Sequence, residues 1–247
     1  MISFIVPAYN EEALIGKTLE ALNQAAVDAG ETYEIVVADD ASSDRTAAIA
    51  ESLGARIVHV SLRQIAATRN AGAAEAAGDR LIFVDADTLV TNDVVRAAIE
   101  AMNRGAAGGG CAVSFDGQIP RYAEVVSPLL VRLFRAAGLA CGCFLFCTRS
   151  AFDAVGGFDE SLFASEEIAM SRALRRQGRF VVLRESVVSS GRKLRMYSGR
   201  EVLRLFGGIL LAGPKALKRR DGLEVWYGGR REDPNSGVTG PLTQTSN

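Results

Sequence analysis

The sequence predicts an α/β domain with a mostly parallel central sheet and helices on both of its faces. Three observations carry this. Short apolar runs alternate with Ala-rich amphipathic stretches from the first residue onward. The runs are apolar nearly throughout, the pattern of strands buried on two sides. Three of them end in polar or acidic residues, "VPAYNEE", "VADDASSD" and "VDAD", and in such sheets ligands sit beyond the carboxyl ends of the strands.

Strands are expected at residues 2–6, 34–38, 56–60 and 81–84, and helices between them at 12–28, 44–53 and 64–77. Asp44 is placed to cap the second helix, and Gly30, Gly54 and Gly78 to stop the three in turn. After residue 105 the rhythm changes. "GAAGGGCAVSF" reads as a Gly-rich strand, and Ser127-Pro128 as a helix start, proline being tolerated in a first turn. From there Leu129, Leu130, Leu133, Phe134 and Ala137 line one face, with Arg132 and Arg135 on the other. "CGCFLFCT" reads as a strand, 165–176 as a helix and "RFVVL" as the last strand. Beyond Ser189 come a basic loop, an amphipathic helix near 198–211 and a polar tail at 232–247 that reads as disordered. The boundaries drawn are 1–190 for one domain, halved at 104/105, and 191–231 for a basic amphipathic segment.

With 247 residues, 48% hydrophobic and 23% charged, the chain suits one large core. Lys+Arg 28 against Asp+Glu 29 gives no global field that calls for nucleic acid. The balance hides an asymmetry: residues 1–100 hold 16 acids and 7 bases, whereas 192–231 hold 11 bases and 3 acids, a net of +8. The four cysteines, 111, 141, 143 and 147, read as free thiols of a reducing compartment. "MISFIVPAYNEE" lacks the features of a signal peptide, and "LLVRLFRAAGLACGCFLF", the nearest approach to a membrane span, carries Arg132 and Arg135. The expected location is the cytoplasm.

"LIFVDADTLV" places Asp85 and Asp87 at the end of a buried strand, where repulsion and desolvation both cost free energy. A hard cation such as Mg²⁺ or Mn²⁺ removes that cost, because it binds through one or two carboxylates plus substrate phosphates. The plain alternative is a strand-to-helix cap.

"VPAYNEEALIGKTLEAL", "IVVADDASSDRT", "ATRNAGAAEAAGDRLIFVDADTLV" and "VGGFDESLFASEE" occur in this order. The set resembles the family 2 glycosyltransferases, inverting enzymes that use nucleotide sugars, over roughly residues 1–190. The resemblance implies a single Rossmann-like glycosyltransferase type A domain, with 1–104 as its nucleotide-binding half and 105–190 as its acceptor half. By it, Pro7, Ala8, Tyr9 and Glu11 would wall the nucleotide, and Asp39 would hydrogen-bond the base. Arg69 would lie against base and diphosphate, Asp85 would face ribose and metal, and Asp87 would be the principal ligand of Mg²⁺ or Mn²⁺. Structural alternatives are a packed Tyr9, turn and cap roles for Asp40 and Asp44, and an exposed helical Arg69.

The family's general base is the second member of an acidic pair, usually Glu-Asp. Here the pair is Glu166-Glu167, so Glu167 aligns with the base and Glu166 stays a second candidate; an acidic first turn favoured by the helix dipole is the other reading. The sole histidine, His59, lies inside an apparent strand as a packed or edge residue and not in the family's metal-binding loop. That loop is "VVSSGRKLRMYSGRE" here, where Arg192, Lys193 and Arg195 would neutralise a diphosphate. The implied donor is a UDP-sugar ahead of a GDP-sugar, and the acceptor an unidentified hydroxyl, lipid-linked in one reading. A nucleotide-sugar binder without turnover is the alternative from another class. A nucleotidyltransferase is disfavoured, since "VPAYNEE" has no glycine. In the basic segment Val202, Leu203, Leu205, Phe206, Ile209 and Leu210 flank Arg200 and Arg204, with Trp226-Tyr227 beyond. Such a segment either lies on an anionic bilayer or packs on the domain.

Overall fold

The computed structural model describes residues 1–197 together with 199–201, 204, 217, 218, 220 and 223. The βαβαβαβ run is present: β1 (Ile2–Ala8), α1 (Ile15–Ala29), β2 (Tyr33–Asp40), α2 (Thr46–Ser52), β3 (Arg56–Val60), α3 (Ile65–Glu75) and β4 (Arg80–Val84). There follow β5 (Thr88–Leu89), α4 (Asn92–Asn103), β6 (Ala106–Phe115), α5 (Arg121–Ala137), β7 (Phe144–Thr148), α6 (Arg149–Val155), α7 (Glu166–Gln177), β8 (Arg179–Ser189) and α8 (Arg192–Met196). The strands form one eight-stranded sheet in the order β3-β2-β1-β4-β7-β6-β8-β5. β1, β2, β3 and β4 run parallel, β7 is antiparallel to both its neighbours, and β6 and β8 are parallel again.

The period-2 alternation of each strand divides the core between two faces. Phe4, Val6, Ile35, Val37, Ile82, Val84, Phe144 and Phe146 bury against α1, α2 and α4. Their neighbours Ile5, Val36, Leu81, Phe83, Leu145 and Cys147 bury against α3, α6 and α7. Apolar residues therefore run unbroken in these strands because both faces are covered. β6 runs between β7 and β8 so tightly that a Cβ on Gly109 would stand 2.1 Å from the Val181 carbonyl oxygen.

Several expectations are corrected. α1 starts at Ile15, because the Glu11 and Glu12 amides donate instead to Thr46 Oγ1 and Asp44 Oδ2. α3 ends in an extended Ala76, and Gly78 serves a different purpose: its amide meets Ser3 Oγ at 2.8 Å, in a space a Cβ would fill. α4 was not anticipated, although Thr91 caps it through its side chain and Asp93 follows in the first turn. α5 begins at Arg121, and Pro128 lies inside it. A proline there leaves the Glu124 carbonyl without its helical partner, on an exposed turn of the helix. The last strand continues past "RFVVL" to Ser189. Most of 198–211, together with Trp226-Tyr227 and the tail at 232–247, lies outside the described residues. No helix among those described is long and apolar enough to cross a membrane.

Candidate active site

The loops that follow β1, β2, β3 and β4 surround one cleft, lined by Pro7, Ala8, Tyr9, Glu11, Asp40 and Arg63, by Gln64, Ile65 and Thr68 of α3's start, and by Asp85, Ala86, Asp87, Arg192 and Lys193. The loops are cross-stitched. Ser43 N donates to Asn10 Oδ1 at 2.8 Å, and Asn10 N to Ser42 Oγ at 2.9 Å. Asp40 Oδ1 accepts from the amides of Leu62 and Arg63, at 2.7 and 2.9 Å, which swings the Arg63 guanidinium over the Tyr9 ring at 3.4 Å. The non-glycine residues Asn10, Ala41, Arg63 and Ser165 have φ between 51° and 62°. The first three sit just past β1, β2 and β3, and the fourth just before Glu166-Glu167. Left-handed backbone at such residues is strain held by its surroundings, and it gathers at this end of the sheet.

The D-A-D triplet is fixed by its backbone. Thr18 Oγ1 donates to the Ala86 carbonyl at 2.9 Å, the Asp85 amide donates to Cys143 O at 3.2 Å, and the Ser190 amide donates to Asp87 O at 3.0 Å. Each carboxylate then meets its own arginine. Arg69, on α3, donates to Asp85 Oδ1 at 2.8 Å, to Gly142 O at 2.9 Å and to Glu166 Oε1 at 2.7 Å. Burial alone would lower its pKa, but Asp85 and Glu166 outweigh that and raise it. Arg192, on α8, donates to Asp87 Oδ2 at 2.9 Å and to Glu11 Oε1. Desolvation nevertheless raises both Asp87 and Glu11, and Glu11 Oε2 is buried without a hydrogen-bond partner.

Glu166 and Glu167 open α7, and Arg69 engages only the first. Burial first, and then the adjoining Glu166, raise Glu167 to about 8. Its carboxyl packs beside Gly142, where a Cβ would stand 3.3 Å from Glu167 Cδ. The "GGFDE" loop is drawn in by Asn70 of "TRN", which exchanges hydrogen bonds with the Phe158 backbone at 2.9 Å in both directions. Phe158 packs on Phe83 with ring centroids 4.9 Å apart.

Among the described residues no group of three or more His, Cys, Asp or Glu can hold a metal ion by itself. Asp85 and Asp87 still match a hard cation that takes one or two carboxylates and completes its shell with water and phosphate oxygens. Burial raises both Asp87 and Glu11 at this strand end, and a cation held beside them would offset that cost.

Other anticipated residues stand elsewhere. Asp40, rather than Asp39, lines the cleft. Asp39 is buried beside β3, with Oδ2 3.4 Å from Nδ1 of His59, which is 72% exposed on that edge strand. Arg69 is 3% exposed and braces carboxylates from behind instead of lining the cleft. Arg195 reaches Asp116, its Nη1 donating to the carbonyl at 2.9 Å. Arg63, Gln64, Thr68 and the Cys141–Cys143 loop were not anticipated. Only the polar "SLRQ" following a strand hinted at the first two. All four cysteines are free, and all but Cys141 are buried.

The sequence matches the profile described as Glycosyl transferase family 2 over residues 3–153. An uncharacterized glycosyltransferase of Bacillus subtilis, YfnE, is 38% identical over 104 residues, 40% of this chain and 26% of that protein. The undecaprenyl-phosphate 4-deoxy-4-formamido-L-arabinose transferase of Edwardsiella ictaluri is 33% identical over 111 residues, 42% of this chain and 34% of that one. The chain thus matches about a third or less of the length of these relatives. Among solved structures, the mannosyltransferase PcManGT of Pyrobaculum calidifontis, in complex with GDP-Man and Mn²⁺, has a TM-score of 0.68 at 19% identity, covering 88% of this chain and 64% of that one. S. aureus TarS in complex with UDP-GlcNAc has a TM-score of 0.60 at 20% identity, covering 76% and 58%. These two likenesses speak for the fold. The profile match covers more than half of the sequence and includes both the D-A-D triplet and the loops that surround it, so this chain belongs to glycosyl transferase family 2.

Proposed function

We propose that the protein is an inverting glycosyltransferase that moves a sugar from a nucleoside-diphosphate sugar to a hydroxyl acceptor. The observation that carries this reading is the double grip of Arg69. It ties Asp85, on the side of the nucleotide, to Glu166, the neighbour of the candidate base, so both halves of the chemistry meet at one strand end. In this reading Pro7, Ala8, Tyr9, Glu11 and the Asp39-Asp40 pair serve the nucleotide, with Asp40 the nearer of the two acids. Residues 1–104 are the nucleotide half, 105–190 the acceptor half and 191–231 an accessory basic segment.

Inversion needs one carboxylate to take the proton of the acceptor hydroxyl as its oxygen attacks the anomeric carbon opposite the leaving diphosphate. Glu166 is occupied by Arg69, which leaves Glu167 for that proton, and a raised proton affinity suits a base working near neutral pH. The negative charge of the departing diphosphate falls beside Arg192 and Lys193. Mg²⁺ or Mn²⁺ held by Asp87 and Asp85 would supply further neutralisation of that charge.

A UDP-sugar is favoured over a GDP-sugar, although the two solved neighbours carry one of each. The name of the E. ictaluri relative supports a lipid-linked acceptor. In this reading the enzyme works on the cytoplasmic side of a membrane and touches it through residues 191–231. The test is nucleotide release from a panel of UDP- and GDP-sugars with Mn²⁺ or Mg²⁺, with and without polyprenyl phosphate. Metal-dependent release for one donor, lost in Asp87→Ala with the fold intact, is the expected result. Donor binding without release from any sugar in the panel would leave a binding protein and overturn the proposal.

A further inference from the structure

We propose that α5 is a membrane-docking surface, an amphipathic helix that lies on an anionic bilayer through an apolar stripe turned away from the core. Val125 is 75% exposed, Leu129 56%, Leu133 55%, Val126 45% and Leu130 42%. At 100° per residue the five fall within an arc of about 140°. A helix of a soluble domain normally turns such a stripe inward; here only Ala123 of the whole helix is buried.

Charge selects the occupant. Exposed Arg121 and Arg132 lie along one edge of the stripe, and Glu124 is the helix's only acid. The Tyr122 hydroxyl donates to the Tyr197 carbonyl at 3.2 Å, so α5's first turn adjoins the start of the stretch with 11 bases and 3 acids. A row of apolar side chains bordered by cations fits acyl chains beneath anionic headgroups. At 17 residues, roughly 25 Å long, the helix suits lying in the interface. Gly138 ends α5 and leads directly to Gly142, whose carbonyl receives Arg69 and beside which Glu167 packs. A docked α5 therefore holds the acceptor side of the cleft against the bilayer; that consequence alone rests on the transferase reading.

Flotation of the full chain with vesicles of neutral phosphatidylcholine, with and without phosphatidylglycerol, tests the docking without turnover. The wild type should float with the anionic vesicles at low salt. The triple variant Val125→Ser/Leu129→Ser/Leu133→Ser should lose roughly tenfold or more of that binding, while Val27→Ser, an exposed change on α1, floats like wild type. Nucleoside diphosphate affinity should be equal in all three proteins, so failure of docking and failure of the transferase reading remain separable. The proposal is overturned if the triple variant floats like wild type. It is equally overturned if, without binding vesicles, the triple variant melts well below wild type, which would mean the chain's own C-terminal segment covers the stripe. A wild-type dimer that the variant dissolves, again without vesicle binding, would assign the stripe to a second copy and also overturn it.

Discussion

Arg69 and Arg192 make the same chemical bond at the same end of the sheet, each bridging two carboxylates, yet they are built differently. Arg69 projects from the middle of α3, is 3% exposed and also holds the Gly142 carbonyl and lies over the Phe158 ring. Arg192 opens a helix of five residues, none of them buried, and is held chiefly by the two acids it pairs, Glu11 and Asp87. The first arginine is a fixture of the core. In the proposed reading the second is a latch, which would exchange its carboxylates for a diphosphate because little else depends on it.

The strongest way to break this contrast is Arg69→Met. Removing one partner of a buried network leaves Glu166 and Asp85 uncompensated, so urea unfolding should show a loss of about 3–5 kcal/mol. A loss below about 1 kcal/mol would mean that Arg69 is no fixture.

Glu167→Gln asks whether the carboxylate of the acidic pair that Arg69 does not hydrogen-bond carries the chemistry. Turnover should fall roughly a hundredfold, about 2.7 kcal/mol of barrier, with donor affinity near normal. Near-normal transfer by that variant, with Glu166→Gln inactive, would move the base one residue back. The raised pKa adds two signatures. Wild-type turnover should rise with pH toward about 8 as Glu167 loses its proton. Stability should change in the opposite direction, because the folded state holds the proton more tightly than the unfolded chain. That contribution is complete below the ordinary carboxylate range and is lost as pH rises to about 8. In Glu167→Gln this part of the slope should vanish.

Arg192→Gln should cost about 1–2 kcal/mol of stability, clearly less than Arg69→Met, while weakening diphosphate binding roughly tenfold. Equal stability losses at the two arginines would erase the distinction between fixture and latch. The smallest effect is expected at Gly142→Ala, whose Cβ would stand 3.3 Å from Glu167 Cδ. A shift of a few tenths of an ångström should lower turnover by about fivefold with little change in stability. Unaltered kinetics would show that the Glu167 carboxyl is not held at that wall.

How far the sequence could be read follows the range of each interaction. Apolar runs that end in polar residues are a local signal, so β1 to β4 and the placement of Asp85 and Asp87 were legible. A short edge pairing such as β5 with β8 joins residues 101 apart and leaves no local trace. α5 was misplaced because Ser127-Pro128 resembles a helix start, whereas Pro120 sets the actual entry. The role of Arg69 was illegible for a related reason: helical periodicity says which face a residue occupies, not that carboxylates from β4 and α7 will converge on it. In the Asp39-Asp40 pair, alternation along β2 sends successive side chains to opposite faces, and only the packed loops decide which face is the cleft.

The order of the sheet also sets an order in time. β3, β2, β1 and β4 all lie within the first 84 residues and are joined by consecutive crossovers, so they can assemble while the rest of the chain is still being synthesised. β5 must wait for β8, because Thr88 pairs with Ser189, and the Asp87 carbonyl waits for the amide of Ser190. A nascent chain released from the ribosome before that point would carry a largely formed sheet and a D-A-D triplet whose far side is not yet tied down. The D-A-D triplet gains its final backbone ties only once β8 and the Ser190 that follows it are in place.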